Sequence, residues 1–287
     1  DCLFAVIRDG LKTVGKTVKV KEMREMLAAE VTEEMYTNLM EIYRGITGEI
    51  DTGKSARKQN EKEQREHLQE LIKTTQQGGK QKLIGNIKKL EGGTQQLEDN
   101  LSDNQKLLEE YAYLKDVKSV EDLRDKIKTN EYWADTWAIS TLERLLKIKL
   151  VVLSQKSYNK GDIGNIIQCG QLNDDILEKA GEFNPSHYIL TEYSDKDDTL
   201  RHYKLVTKNG IGAFSFNELS KIIVDQIIAK CLERDAGPYY LIPEFRQYKL
   251  KGSIEEHLSP SISRKLTPSV KPSSTLREPT PLVKPSS

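Results

Sequence analysis

A chain of 287 residues suits one good-sized domain, or two small ones, with appendages. Its 44 Lys and Arg balance 44 Asp and Glu, which excludes a global field drawing in nucleic acid or anionic lipid. Charged residues make up 31% of the chain and the mean hydropathy is −0.61, which excludes a compact globule throughout and calls for long solvated segments. No apolar run approaches the ~18 residues of a membrane span, and no signal peptide is present. Three cysteines, Cys2, Cys169 and Cys231, stand far apart with no paired framework, no Cys-x-x-Cys and no zinc spacing. A reducing, cytoplasmic compartment is the natural expectation, and neither a metal nor a cofactor is implied. The chain opens without an initiator methionine, so it reads as a fragment with residues missing upstream.

Leu3, Phe4, Val6, Ile7 and Leu11 recur at helical spacing, which predicts a buried helix starting at Cys2. The unsatisfied N–H groups and positive dipole end of such a helix favour a thiolate, the nucleophilic form of cysteine. A second amphipathic helix is predicted over residues 34–43, and residues 1–47 read as the first globular part. Residues 48–110 lose their aromatics and become rich in Lys, Glu, Gln and Asn. Thin leucine and isoleucine stripes remain, punctuated by Gly78-Gly79 and Gly92-Gly93. This predicts a coiled-coil-like arm of two or three helices joined by glycine turns, separable from the main domain and suited to docking a protein partner.

The globule resumes over residues 111–250. Ser119 to Asp122 has the capping-box form. The stretch 131–146 carries both tryptophans and reads as the most core-directed helix. Lys149 to Ser154 reads as a central strand. Tyr188–Tyr193 and His202–Thr207 alternate as strands, predicting an antiparallel hairpin across a loop at Ser194–Arg201. Residues 218–233 read as a helix with Cys231 on its apolar stripe. Residues 251–287 are rich in Pro, Ser and Lys, and Thr267–Ser274 returns almost unchanged as Thr280–Ser287, which predicts a disordered tail.

A cysteine nucleophile needs an imidazole to take its proton and return it to a leaving amine. Of the four histidines, His67 lies in the arm and His257 at the edge of the tail. His187 and His202 each begin a strand and precede a tyrosine.

Three blocks in order carry a resemblance. They are Asp1-Cys2-Leu3-Phe4, then Tyr132-Trp133-Ala134 with Leu142–Leu153, then Tyr188–Tyr193 followed by Arg201-His202-Tyr203-Lys204-Leu205-Val206. Together they resemble the ovarian-tumour (OTU) cysteine proteases, including the divergent OTU-like domains of large DNA viruses, with the arm as an insertion. The resemblance implies an α+β, papain-like fold of OTU type, with a small central sheet flanked by helices. It implies a deubiquitinase that hydrolyses isopeptide bonds to the C-terminus of ubiquitin or a related modifier, with Cys2 as nucleophile and His202 as general base. In a viral setting the place of action would be the host cytoplasm or the virion. The partners implied are ubiquitin conjugates and a protein at the arm, with no nucleic acid and no membrane. The alternative is a catalytically inactive OTU-like module that binds ubiquitin or another partner. The sequence departs from the family at Lys204, where many members carry Asp or Asn to orient the histidine. Thr191, Glu192 or a residue upstream of Asp1 remain open as orienters.

Overall fold

The computed structural model describes residues 1–196, 200–234 and 236–258. These residues are mixed α+β, 66% helix and 10% strand, around a small open mixed sheet. α1 (Cys2–Lys12) forms where predicted, and Leu3, Phe4, Val6, Ile7 and Leu11 are all buried on one face. Gly10 shares that face. A Cβ there would sit 3.1 Å from Ile189 and 3.3 Å from Leu205, so glycine lets the helix lie close on the sheet. α2 (Val20–Glu30) buries Met23, Leu27, Ala28 and, against the usual rule for charges, Arg24.

α3 (Glu33–Lys73) and α4 (Gln77–Glu110) form one long antiparallel hairpin. α3 is anchored in the main core through Met40 and runs without a break past residue 47, so the arm grows out of a core helix. Neither glycine pair makes a turn: both lie inside α4, and the chain reverses at Thr74–Gln76. Leu83, Ile87, Leu90, Leu97, Leu101 and Leu108 of α4 fall at the three- and four-residue steps of a coiled-coil seam. That seam outweighs the roughly 1 kcal/mol each glycine costs relative to alanine. The facing register is read from Asn104 bonded to Glu49 at 3.1 Å, Leu101 packed on Gly53, Arg57 paired with Glu98 at 3.6 Å, and Gln64 bonded to Glu91 at 3.1 Å.

α5 (Val120–Ile127) starts at Ser119, whose hydroxyl accepts from the Asp122 N–H at 3.1 Å, as the capping box predicts. α6 (Thr136–Leu146) starts at Asp135, whose carboxylate accepts from the Ala138 N–H at 2.9 Å. That cap places Trp133 in the preceding turn, where it is 57% exposed. The aromatic this stretch delivers to the core is Tyr132, 1% exposed and edge-to-face with Tyr113 at 5.2 Å.

β1 (Ile148–Ser154) follows, then the short α7 (Gln155–Asn159), β2 (Ile167–Gln168), α8 (Asp175–Ala180), β3 (His187–Lys196), β4 (Leu200–Leu205) and β5 (Ala213–Phe214). α9 (Lys221–Ile227) continues as a π-helical turn over Ile228–Leu232, and α10 is Pro243–Leu258. The strand order is β2-β1-β3-β4, with β5 also paired to β3. β1 and β3 run parallel and the other pairs antiparallel. The three strands predicted from sequence thus share one sheet. The expected loop at Ser194–Arg201 is shorter than predicted, because β3 extends to Lys196 and β4 begins at Leu200.

Ile148, Leu150 and Ile189 face a core built with α1, α2, α5 and α6. Val151, Tyr188, Leu190 and Phe214 face a second core with α9, the π turn and α10. α10 runs past residue 251, where the tail was expected to start. The two Pro-Ser-Lys repeats lie outside the described residues.

Cys169 and Cys231 form a disulfide, with Cα atoms 5.4 Å apart across 62 residues of sequence. This corrects the expectation of three unpaired thiols, on which the reducing-compartment reading rested. The edge strand β2 carries Cys169 to the buried side of the π turn, a long-range approach that sequence spacing does not reveal. Cys2 is the free cysteine.

Candidate functional site

Asp1 is the N-cap residue of α1, yet its side chain makes no capping hydrogen bond. Its carboxylate instead accepts from Arg24 Nη2 at 2.6 Å and Nε at 3.1 Å. Arg24 is only 4% exposed. It also donates to the carbonyls of Ile127 at 2.8 Å and Tyr132 at 3.3 Å, and its guanidinium lies 4.4 Å above the Phe4 ring. One side chain thereby ties the first turn of α1 to α2, the end of α5 and the turn before α6. Cys2, half-buried, sits in that first turn, whose leading N–H groups have no side-chain acceptor. Beside this clamp, the buried phenol of Tyr132 donates to Asp135 at 3.0 Å, and burial pushes the Asp135 carboxyl up from its ordinary range.

Sequence reading missed Arg24. Its signal was positional: Arg24, Leu27 and Ala28 stand three and four residues apart on the face that α2 buries.

α1 packs along β4. Gly10 touches Leu205 near the end of both elements. Cys2 lies eight residues back along the helix, about 12 Å. His202 lies three residues back along the strand, about 10 Å. Lys16, just past α1, meets His187 at the start of β3, beyond the end of the antiparallel β4, so α1 runs in the direction of β4. Cys2 and His202 therefore reach the same end of the sheet, and His202 is exposed there.

Their faces differ. Tyr203 and Leu205 pack on the α1 core, and Tyr203 meets Tyr193, its partner in register, with ring centroids 5.2 Å apart. Strand alternation then sends His202 and Lys204 to the opposite face, across from Ser194 and Glu192. Among the described residues no hydrogen bond joins Cys2 to a histidine.

The open orienters also separate. The Thr191 hydroxyl is fully buried and donates to the Lys204 carbonyl at 3.0 Å. Glu192 shares the His202 face on the diagonal, within reach of a long side chain, and accepts from Gln155 Nε2 at 2.7 Å.

His187 stands elsewhere. Its Nδ1 lies 2.9 Å from the Ser186 hydroxyl and 3.3 Å from Lys16 Nζ, beyond the far end of α1 from Cys2. Burial, and secondarily the Lys16 charge, lower its pKa from the ordinary 6.5, while Glu218 opposes the shift. A histidine depressed on folding contributes stability that is present above its unfolded value and lost as pH falls through its folded value. The His187 ring proton is expected to titrate below 6.5 by NMR. Lys16→Ala should move that midpoint upward, and an unmoved midpoint would remove Lys16 as a cause.

His67 lies in the arm seam, 3.9 Å from Glu70. The His257 side chain lies outside the described residues. Among the described residues no group of three or more His, Cys, Asp or Glu is placed to hold a metal ion, and no helix is long and apolar enough to cross a membrane. An apolar cleft of about 150 Å³ opens beside the end of β4, between Leu190, Val206, Phe214, Leu219 and Ile223. No protein-family model, curated protein or solved structure matches the chain, so the reading of this site rests on its own residues.

Proposed function

We propose that the chain is an OTU-like cysteine hydrolase acting on isopeptide bonds to the C-terminus of ubiquitin or a ubiquitin-like modifier, with Cys2 as nucleophile and His202 as general base. One observation carries the reading: the helix that begins at Cys2 lies along the strand that holds His202, so thiol and imidazole share one end of the sheet. In the order β2-β1-β3-β4, β4 is at the edge. Bringing the imidazole from its present face to the helix N-terminus requires the start of this edge strand to twist when substrate binds, and catalytic contacts often tighten only in the substrate complex.

In this reading His202 takes the Cys2 proton and the thiolate attacks the carbonyl carbon. The N–H groups of the first turn of α1, left open because Arg24 holds the Asp1 carboxylate, donate to the oxyanion. His202 then returns the proton to the lysine amine as the C–N bond breaks. Water, giving its proton to His202, hydrolyses the thioester and frees Cys2. The test is covalent capture by ubiquitin carrying a C-terminal electrophile. The expected result is a single adduct at Cys2, absent in Cys2→Ala.

A second reading, a catalytically silent module of the same build that binds ubiquitin without cleaving it, is favoured by the position of His202 on the face away from α1. It predicts binding of ubiquitin with no adduct. Neither adduct nor binding would overturn both readings.

A further inference from the structure

The proposed chemistry leaves the arm unused, and the arm has three features that converge. First, between Ile50 and Leu71 the α3 side of its seam is Gly53, Arg57, Asn60, Gln64 and His67, facing the aliphatic seam of α4. A hairpin reaching about 40 Å from the core on half a seam is a marginal structure by itself.

Second, aliphatic side chains stand open at both of its ends. Leu68, Ile72 and Ile84 are 43, 86 and 43% exposed at the outer end, and Ile42 and Leu107 are 45 and 41% exposed at the inner end.

Third, its charge is divided along its length. Across a cut at the Arg57–Glu98 pair, the outer part (57–97) has nine Lys or Arg against five Asp or Glu. The inner part (33–56 with 98–110) has three against ten. Lys80, Lys82, Lys88 and Lys89 are exposed on the outer part with no ion pair among the described residues.

A rod that is basic at one end and acidic at the other complements an identical rod turned end for end. We propose that the arm is a dimer interface for a second copy of this chain. Two arms pair antiparallel about a two-fold axis near the Arg57–Glu98 level, each basic outer half lying on the partner's acidic inner half. The contact is isologous and closed, and the two hairpins make a four-helix bundle in which the exposed outer-end aliphatics are covered. The inference is independent of the proposed hydrolase activity.

The test is sedimentation equilibrium of the full chain. A dimer is expected near 50 mM salt, weakening steeply by about 500 mM as the paired charges are screened. The variant with Lys80, Lys82, Lys88 and Lys89 all changed to Glu should dimerise more than about a hundredfold more weakly, because like charges then face each other. Mixing it with the variant carrying Glu41→Lys, Glu49→Lys and Glu109→Lys, the exposed acids that this two-fold sets opposite those lysines, should restore a heterodimer. Circular dichroism of each variant checks that the arm stays helical. A wild-type chain that is monomeric throughout, or a dimer indifferent to salt and to charge reversal, would overturn the proposal. Sedimentation of a monomer with vesicles of phosphatidylcholine and phosphatidylserine would do the same, assigning the basic end to a lipid surface.

Discussion

Arg24→Met is expected to lower the free energy of unfolding by about 3 kcal/mol, or roughly 6–12 °C in melting temperature for a chain of this size. Methionine keeps most of the volume but none of the donors. The carbonyls of Ile127 and Tyr132 lose a buried partner, and the Asp1 carboxylate loses both of its bonds. Lysine should not rescue the site. Its ammonium is a point donor, whereas Arg24 spreads a planar fork over three acceptors and stacks on Phe4. The loss should also reach function. A released Asp1 carboxylate is free to cap α1 and occupy the N–H groups that the proposed mechanism reserves for the oxyanion. Urea titration of the two variants measures the stability part. A change below about 0.5 kcal/mol, the range of ordinary surface substitutions, would show that the clamp is incidental.

The second large effect belongs to the pair joining α6 to β1. Glu143 and Lys149 are 1 and 3% exposed, with Lys149 Nζ 2.7 Å from the carboxylate, which also accepts from the Leu150 N–H at 2.9 Å. Burial pushes the Glu143 carboxyl above its ordinary range, and the Lys149 charge pulls against that push. Lys149→Met removes the opposing charge and leaves a buried carboxylate alone, at a cost of about 3–5 kcal/mol near pH 8. The sign with pH follows. In the variant the folded carboxyl binds its proton more tightly than the unfolded one, so stability is highest below the unfolded pKa and falls as pH rises through the folded value. The variant should therefore regain stability on acidification. The double variant Lys149→Met with Glu143→Gln should recover most of the loss and lack this pH dependence, since the amide oxygen keeps an acceptor for the Leu150 N–H while no buried charge remains. Urea midpoints of the three proteins between pH 5 and 8 decide it. An equal loss at every pH would mean that lost packing, and not an isolated charge, is the cause.

The elements legible in the sequence are those whose burial is one-sided and local. The apolar spacing from Leu3 to Leu11 fixed α1, and the alternation of Tyr188–Tyr193 and His202–Leu205 fixed two strands of the sheet with their pairing. Where packing at a distance decides, the local signal misleads. Two tryptophans suggested a core helix, but the Asp135 cap begins that helix three residues after tyrosine has taken the core place. The glycine pairs suggested turns that the α4 seam overrides. β2 and β5 are two residues long and have no pattern to read. Arg24 and the Cys169–Cys231 bridge each depend on partners tens of residues away. The candidate site shares this division: the place of Cys2 at a helix start was legible, while the face on which His202 stands depends on which side of β4 the α1 helix packs.

The account turns on whether His202 acts on Cys2, and the rate of cleavage of an isopeptide-linked ubiquitin conjugate measures that directly. The account predicts no cleavage by Cys2→Ala, a loss of about a thousandfold or more in His202→Ala, since nucleophile and base act as one unit, and a change within about threefold in His187→Ala, a substitution on the surface away from the site. Activity that survives His202→Ala and disappears in His187→Ala would contradict it.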